Sequence, residues 1–314
     1  MRVLVVGAGA IGGYFGGRLL QSGQDITFLV RPKRAAELAS DGLVIKSPGG
    51  DVTLKDPPTV LADGLGEKFD VVLLSCKSFD LEDAIKSFAP AVGPNTAIIP
   101  LLNGMSHLDV LDRKFGKERV LGGLCAIAAT LNEKREVVQL APMQSLGFGE
   151  RAGGTSDRVK AIAEVFAKGN CGAAPSEHVM QDMWEKWVAL ATLAGSTCLM
   201  RAAVGDIVGA PAGTQVIAGL FAECAAIATS HGHAPRPDVA ARMQATLLQP
   251  GSTLTASMLR DVERNGPTEA DHILGDLLAR RGGAVRAGPS LLEVAYAHLK
   301  AHDARRVREA GSAA

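Results

Sequence analysis

The sequence predicts an α/β chain: an N-terminal domain of parallel strands alternating with helices, then an all-α C-terminal domain. Three observations carry that expectation. Residues Met1 to Arg34 read as a strand, a glycine turn, a helix and a second strand. Short β-branched apolar runs recur as far as about residue 149. From about Met180 the pattern changes to Ala- and Leu-rich helical segments separated by glycine and proline. The boundary falls near residue 178, giving domains 1–178 and 179–314.

Val3–Val6 is a continuous apolar run, which suits a strand buried on both faces. Gly7-Ala8-Gly9-Ala10-Ile11-Gly12 follows as G-x-G-x-x-G. The first glycine permits the tight turn, the second a close approach by pyrophosphate, the third close packing of helix on strand. With a strand before it and a helix after it, the motif predicts a Rossmann-type dinucleotide site, phosphates resting on the helix N-terminus. The next strand, Ile26–Val30, ends at Arg31. A site for NAD usually places Asp or Glu there to hold the ribose 2′-hydroxyl. Arg31, Lys33 and Arg34 occupy the tip instead and suit a 2′-phosphate, so the expected cofactor is NADP(H). The competing reading is a solvated charge cluster opening a helix.

Leu43–Ser47 and Asp51–Leu54 read as short strands about Pro48-Gly49-Gly50. Val71–Ser75 is another buried-type strand, followed by Lys77, and Thr96–Leu101 runs into Leu102-Asn103-Gly104. The glycine loop, Arg31, Lys77 and Asn103 thus all fall at carboxyl ends of strands, where open α/β sheets bind ligands. Val120–Ala129, Val137–Leu140 and Gln144–Gly149 are expected to extend the sheet, with a helix at Asp157–Lys168. Expected helices of the second domain are Gln181–Met200, Gly213–His231, Pro237–Leu248, Thr268–Arg280 and Ser290–Lys300. The last dozen residues are small and charged and are expected to fray.

Composition narrows the classes. Thirty-three basic residues balance thirty-three acidic ones, so no overall field attracts nucleic acid or a membrane surface. The five cysteines are scattered, with no C-x-x-C pair, which argues against a disulfide framework and structural zinc. His231 and His233 read as a loop pair rather than a metal site, and no metal is expected. With neither a leader nor an apolar run of spanning length, the expected location is the cytoplasm.

Lys186 lies in Met183-Trp184-Glu185-Lys186-Trp187, at the start of a helix otherwise almost uncharged for fourteen residues. Partial desolvation there would make it a better proton donor near neutrality. The plainer reading is a lysine whose stem packs on tryptophan while its head reaches water. Glu269, in the first turn of a helix, and Ser257 are unremarkable when taken singly.

Together these features resemble the ketopantoate reductase (2-dehydropantoate 2-reductase) family over essentially the whole chain. The resemblance rests on Gly7 to Gly12, Arg31, Ser75-Cys76-Lys77, Leu102-Asn103-Gly104, Trp184-Glu185-Lys186, and Ser257-Met258-Leu259 with Glu269 twelve residues on. It implies a Rossmann-type domain and a helical domain like the C-terminal part of 6-phosphogluconate dehydrogenase. It also implies reduction of a 2-keto acid by NADPH, with ketopantoate to pantoate, in the pantothenate pathway, as lead reaction. Lys186 matches the general acid, and Glu269 the residue that holds substrate hydroxyl and cofactor. Ser257 matches a substrate contact. Lys77 and Asn103 match positions beside the nicotinamide ribose, Asn103 also reaching the substrate, and Ala129 a position lining the nicotinamide. The implied partner is a small 2-keto acid, with a homodimer left open. The family presents asparagines where this chain has Leu190, Ala194 and Val204. That departure predicts a substrate that is less polar or is gripped differently. Arg201, near the end of the same helix, suits either a carboxylate or a helix C-terminus. A non-catalytic NADP sensor and a 3-hydroxyacid or polyol dehydrogenase are the rival classes.

Overall fold

A computed structural model describes residues 1–282 and 288–312. It divides into two compact units: Met1–Leu102 with His107–Met180, and Asn103–Ser106 with Gln181–Ala314.

The first unit carries the strands. In chain order they are β1 (Val3–Val6), β2 (Ile26–Leu29), β3 (Leu43–Lys46), β4 (Val52–Leu54), β5 (Thr59–Val60), β6 (Phe69–Leu74), β7 (Val92–Pro100), β8 (Gly122–Leu131), β9 (Val137–Gly149) and β10 (Ala173–Pro175). Between them lie helices α1 (Ala10–Gln21), α2 (Pro32–Asp41), α3 (Leu81–Phe88), α4 (Ser106–Phe115) and α5 (Asp157–Ala167). A parallel sheet runs β5-β2-β1-β6-β7. β1 is central and wholly buried, as a continuous apolar strand demands.

The strands expected to extend this sheet build a second one instead. Its order is β10-β9-β3-β4, with β8 antiparallel to β9. The long β8–β9 hairpin satisfies its own hydrogen bonds from Gly122↔Gly149 to Leu131↔Val137. A single bridge, Ile98↔Val120, joins the segment before β8 to β7. β9 is one strand where two were expected. The chain carries Pro142 through it, and the ladder shifts register between Ile127 and Ala129, opposite that stretch. Proline lacks a ladder donor and is tolerated at such irregularities. Phe15, Leu19, Phe28, Leu43, Val137, Phe148 and Phe166 belong to a single core cluster, so residues of both sheets share that core.

The second unit is helical: α6 (Val179–Met200), α7 (Val204–Gly209), α8 (Gly213–Ser230), α9 (Pro237–Leu247), α10 (Ser257–Glu263), α11 (Asp276–Ala279) and α12 (Leu291–Ser312). Asp271–Gly275 forms one turn of π-helix before α11, so the helix expected over 268–280 is interrupted. α12 runs to Ser312, past its expected end at Lys300, while Ala313 and Ala314 of the tail expected to fray lie outside the described residues. Among the described residues, no helix is long and apolar enough to cross a membrane.

α6 is the spine of this unit, burying Met183, Trp184, Trp187, Val188, Ala191, Ala194 and Cys198. Its first turns are held by a charged clamp. Glu185 is 2% exposed, and its carboxylate accepts from the Arg236 backbone N–H (2.7 Å) and Nε (2.8 Å) and from Gln181 Nε2 (3.1 Å). Arg236 also pairs with Asp182. Burial alone would raise the Glu185 carboxyl; the Arg236 contacts more than offset it and hold the group below the usual carboxylate range. Because the folded-state pKa is depressed, this contribution is present above the ordinary glutamate range. It is lost as pH falls through the lower folded value. Arg236→Ala is expected to cost about 1–3 kcal/mol near neutral pH by stranding a buried carboxylate. The cost should shrink in acid, as urea midpoints across that range would show.

Candidate active site

The dinucleotide-binding candidates belong to the first unit. β1 ends on Gly7, whose φ of +92° lies in the region that favours glycine. Its N–H donates to Leu29 O (2.9 Å), tying the turn to the end of β2. The Ser75 hydroxyl donates to Val6 O (2.9 Å). A Cβ on Gly12 would sit 2.1 Å from Gly7 O and 2.2 Å from Ser75 Oγ, so only glycine allows α1 to approach β1 this closely. A Cβ on Gly9 would meet nothing within 4 Å, which leaves open space above the loop. Gly9 is the N-cap of α1, and the helix carries no capping side chain. The N–H groups of Ala10, Ile11 and Gly12 have no intrahelical acceptors, at the positive end of the helix. These residues fit a dinucleotide pyrophosphate.

The basic residues at the tip of β2 separate into two kinds. Arg31 is largely exposed and pairs with Asp80 at 2.6 Å, which raises its pKa. Arg34 is buried against the loop: its Nε donates to Ala8 O (3.0 Å) and its Nη1 to Glu37 (3.0 Å), with the side chain 11% exposed. The sequence reading put its weight on Arg31, yet Arg34 is the cation anchored to the glycine loop. Lys77 is exposed and N-caps a short 3₁₀ turn, Ser78–Asp80, beyond β6. Ala129 is half-buried on β8, just past the register shift, and belongs to the second sheet.

The second unit holds the proton-transfer candidates. Asn103 lies in the four-residue piece that packs with the helices. Lys186 Nζ, half-buried on α6, donates to Asn103 Oδ1 at 3.0 Å. Gly104 follows with φ +74°, and a Cβ there would lie 2.5 Å from His272 O. The His272 ring meets Ser106 Oγ through Nδ1 at 2.7 Å. Burial lowers the His272 pKa and outweighs the nearby Glu269 and Asp276 carboxylates and the Asn103 backbone, which favour the charged form. In a neutral ring, Nδ1 can accept a hydrogen bond donated by the Ser106 hydroxyl.

Glu269 is 7% exposed, and its carbonyl accepts from His272 N (3.1 Å) and Ile273 N (3.0 Å). Trp187 Nε1 in turn donates to Ile273 O (2.8 Å). One segment, residues 269–275, therefore grips both the Asn103 loop and the helix of Lys186. Trp184 does different work. It packs on Trp187 (5.0 Å between ring centroids) and stacks on His231 (5.3 Å) and His233 (5.6 Å). Ser257 is exposed at the first position of α10. Arg201, φ +54°, pairs with Glu263 at 2.7 Å. Ser106, His272 and Arg236 gave no signal in the sequence, because a lone histidine or arginine has no spacing to mark it.

Comparison with known proteins shows the family. Residues 3–153 match the family model "Ketopantoate reductase PanE/ApbA" and residues 178–303 match its C-terminal counterpart. The chain is 36% identical to "Uncharacterized oxidoreductase YkpB" of Bacillus subtilis, over 98% of this chain and all of that one. It is 26% identical to a 2-dehydropantoate 2-reductase of Mesorhizobium japonicum, over 87% of this chain and 89% of that one. Among solved structures, the 2-dehydropantoate 2-reductase from Geobacter metallireducens superposes with a TM-score of 0.86 at 27% identity, over 96% and 99% of the two chains.

His272→Ala is expected to slacken the Asn103 loop, lowering reductase turnover by about ten- to a hundredfold while dinucleotide affinity holds. Parallel steady-state and dinucleotide-titration measurements would separate the two.

Proposed function

The chain belongs to the ketopantoate reductase family, and we propose that it reduces a 2-keto acid to the 2-hydroxy acid with NADPH. The observation that carries this reading is the 3.0 Å hydrogen bond from Lys186 Nζ to Asn103 Oδ1, in the unit that also buries Glu269. A bound reduced nicotinamide supplies hydride to the keto carbon. The carbonyl oxygen then needs a proton, and the Lys186 ammonium is the donor. Its charge stabilises the developing alkoxide more than the neutral ketone, so the interaction favours the transition state. The Asn103 amide fixes where that ammonium points. Glu269 is the group assigned to the substrate hydroxyl, and Ser257 a further substrate contact. Arg31 and the loop-bound Arg34 support the choice of NADPH, because a 2′-phosphate needs cations beside the glycine turn.

Ketopantoate is the family's reference substrate and the lead one here. A second reading, a less polar 2-keto acid, is favoured by the helix after Lys186. Ala194 and Val204 are buried and apolar, and Leu190 faces a cavity, where the family has amides.

Lys186→Ala is expected to lower kcat by about 10²–10⁴-fold, the usual span for general acid–base catalysis, while NADPH still binds. Wild-type turnover in that variant would remove the lysine from the mechanism. Arg31→Glu should move cofactor preference from NADPH toward NADH, measured as the ratio of the two kcat/KM values.

A further inference from the structure

The helical unit contains a cavity of about 260 Å³ lined by Ala189, Leu190, Leu193, Val239, Arg242, Met243, Thr246, Leu247 and Leu254. We propose that this cavity receives the side chain of the substrate, and that the substrate class is a 2-keto acid bearing a branched aliphatic or aryl group. The inference rests on the 2-keto acid reductase reading and specifies the rest of the molecule being reduced.

Position comes first. Leu190 and Leu193 follow Lys186 by four and seven residues on α6, and so lie on its face of the helix, one and two turns along. Helical side chains lean toward the N-terminus, so Leu190 covers the turn that carries Lys186. The cavity wall formed by Leu190 and Leu193 therefore lies on the Lys186 face of the helix, one to two turns along.

Lining comes second. Seven of the nine residues are apolar. The Thr246 hydroxyl donates to Arg242 O on its own helix (3.0 Å), and the Arg242 guanidinium pairs with Asp238 (2.8 Å) at the exposed rim. The stem of Arg242 adds further apolar wall. A hydroxylated side chain placed inside would give up its water with little to replace it, whereas a hydrocarbon gains by leaving water.

Size comes third. The volume is below the roughly 300–1,000 Å³ of pockets that enclose a whole drug-sized ligand. It suits one substituent, with the reacting carboxylate and ketone outside it.

The test is steady-state reduction by the full-length protein of pyruvate, ketopantoate, 4-methyl-2-oxopentanoate and phenylpyruvate, using whichever nicotinamide it accepts. The cavity should give 4-methyl-2-oxopentanoate or phenylpyruvate a kcat/KM at least tenfold above those of pyruvate and ketopantoate. A single methylene in an apolar pocket is already worth about tenfold. Met243→Trp, which fills the cavity, should lower that preference tenfold or more, and Leu190→Asn should move it toward ketopantoate. Dinucleotide titration and circular dichroism would check that each variant folds. If Met243→Trp does not, Met243→Ala should weaken the same preference by removing wall. A preference for ketopantoate, a flat profile, or a preference untouched by these substitutions would overturn the cavity assignment and leave the reductase reading standing. Bound dinucleotide with no turnover of any 2-keto acid would overturn both.

Discussion

A single turn of π-helix holds together the elements that carry Lys186 and Asn103 in the second unit. A π-turn holds one residue more than the α-helix it interrupts, and such turns often occur at functional sites. At Asp271–Gly275 the irregular turn coincides with two grips. The Ile273 carbonyl takes the Trp187 indole N–H from α6, and the His272 ring reaches the Ser106 hydroxyl beside the Asn103 loop. The lysine and the amide that orients it thus hang from adjacent residues of one turn, which also begins two residues after Glu269. Three groups widely separated in the chain acquire a common support.

The glycine turn works by a different constraint. Its function depends on what is missing, since a side chain at Gly12 would collide with the Gly7 carbonyl, while Gly9 leaves room above the backbone. Steric exclusion of this kind is written into the residue types themselves, which is why the motif could be read directly. The charge arrangement around it could not be read so fully. Arg31 and Arg34 look equivalent as letters, but one is spent on Asp80 and solvent and the other on Ala8.

The same contrast explains how far the fold was legible. β1, β2, β6, α6, α8 and α9 announce themselves through local hydrophobic pattern, and their observed bounds lie close to the expected ones. The partition of strands between two sheets depends on which edge each strand meets, a non-local matter. β8 and β9 satisfy one another in a hairpin, so they join β3, β4 and β10 rather than extending the parallel sheet. At the site, Lys186 is marked by its position on an almost uncharged helix, but its role and that of Glu269 come only from the resemblance. His272, Ser106 and Arg236 act through contacts made across tens to hundreds of residues, and no local spacing reveals those.

Residues Asn103 to Ser106 pack with the helical unit although the chain on both sides of them belongs to the other unit. The modules are therefore not interchangeable cassettes. A recombinant that joined the first 180 residues of one relative to the remainder of another would import a foreign amide opposite a native lysine. Drift in the Asn103 loop and drift in α6 or the π-turn must then be tolerated jointly.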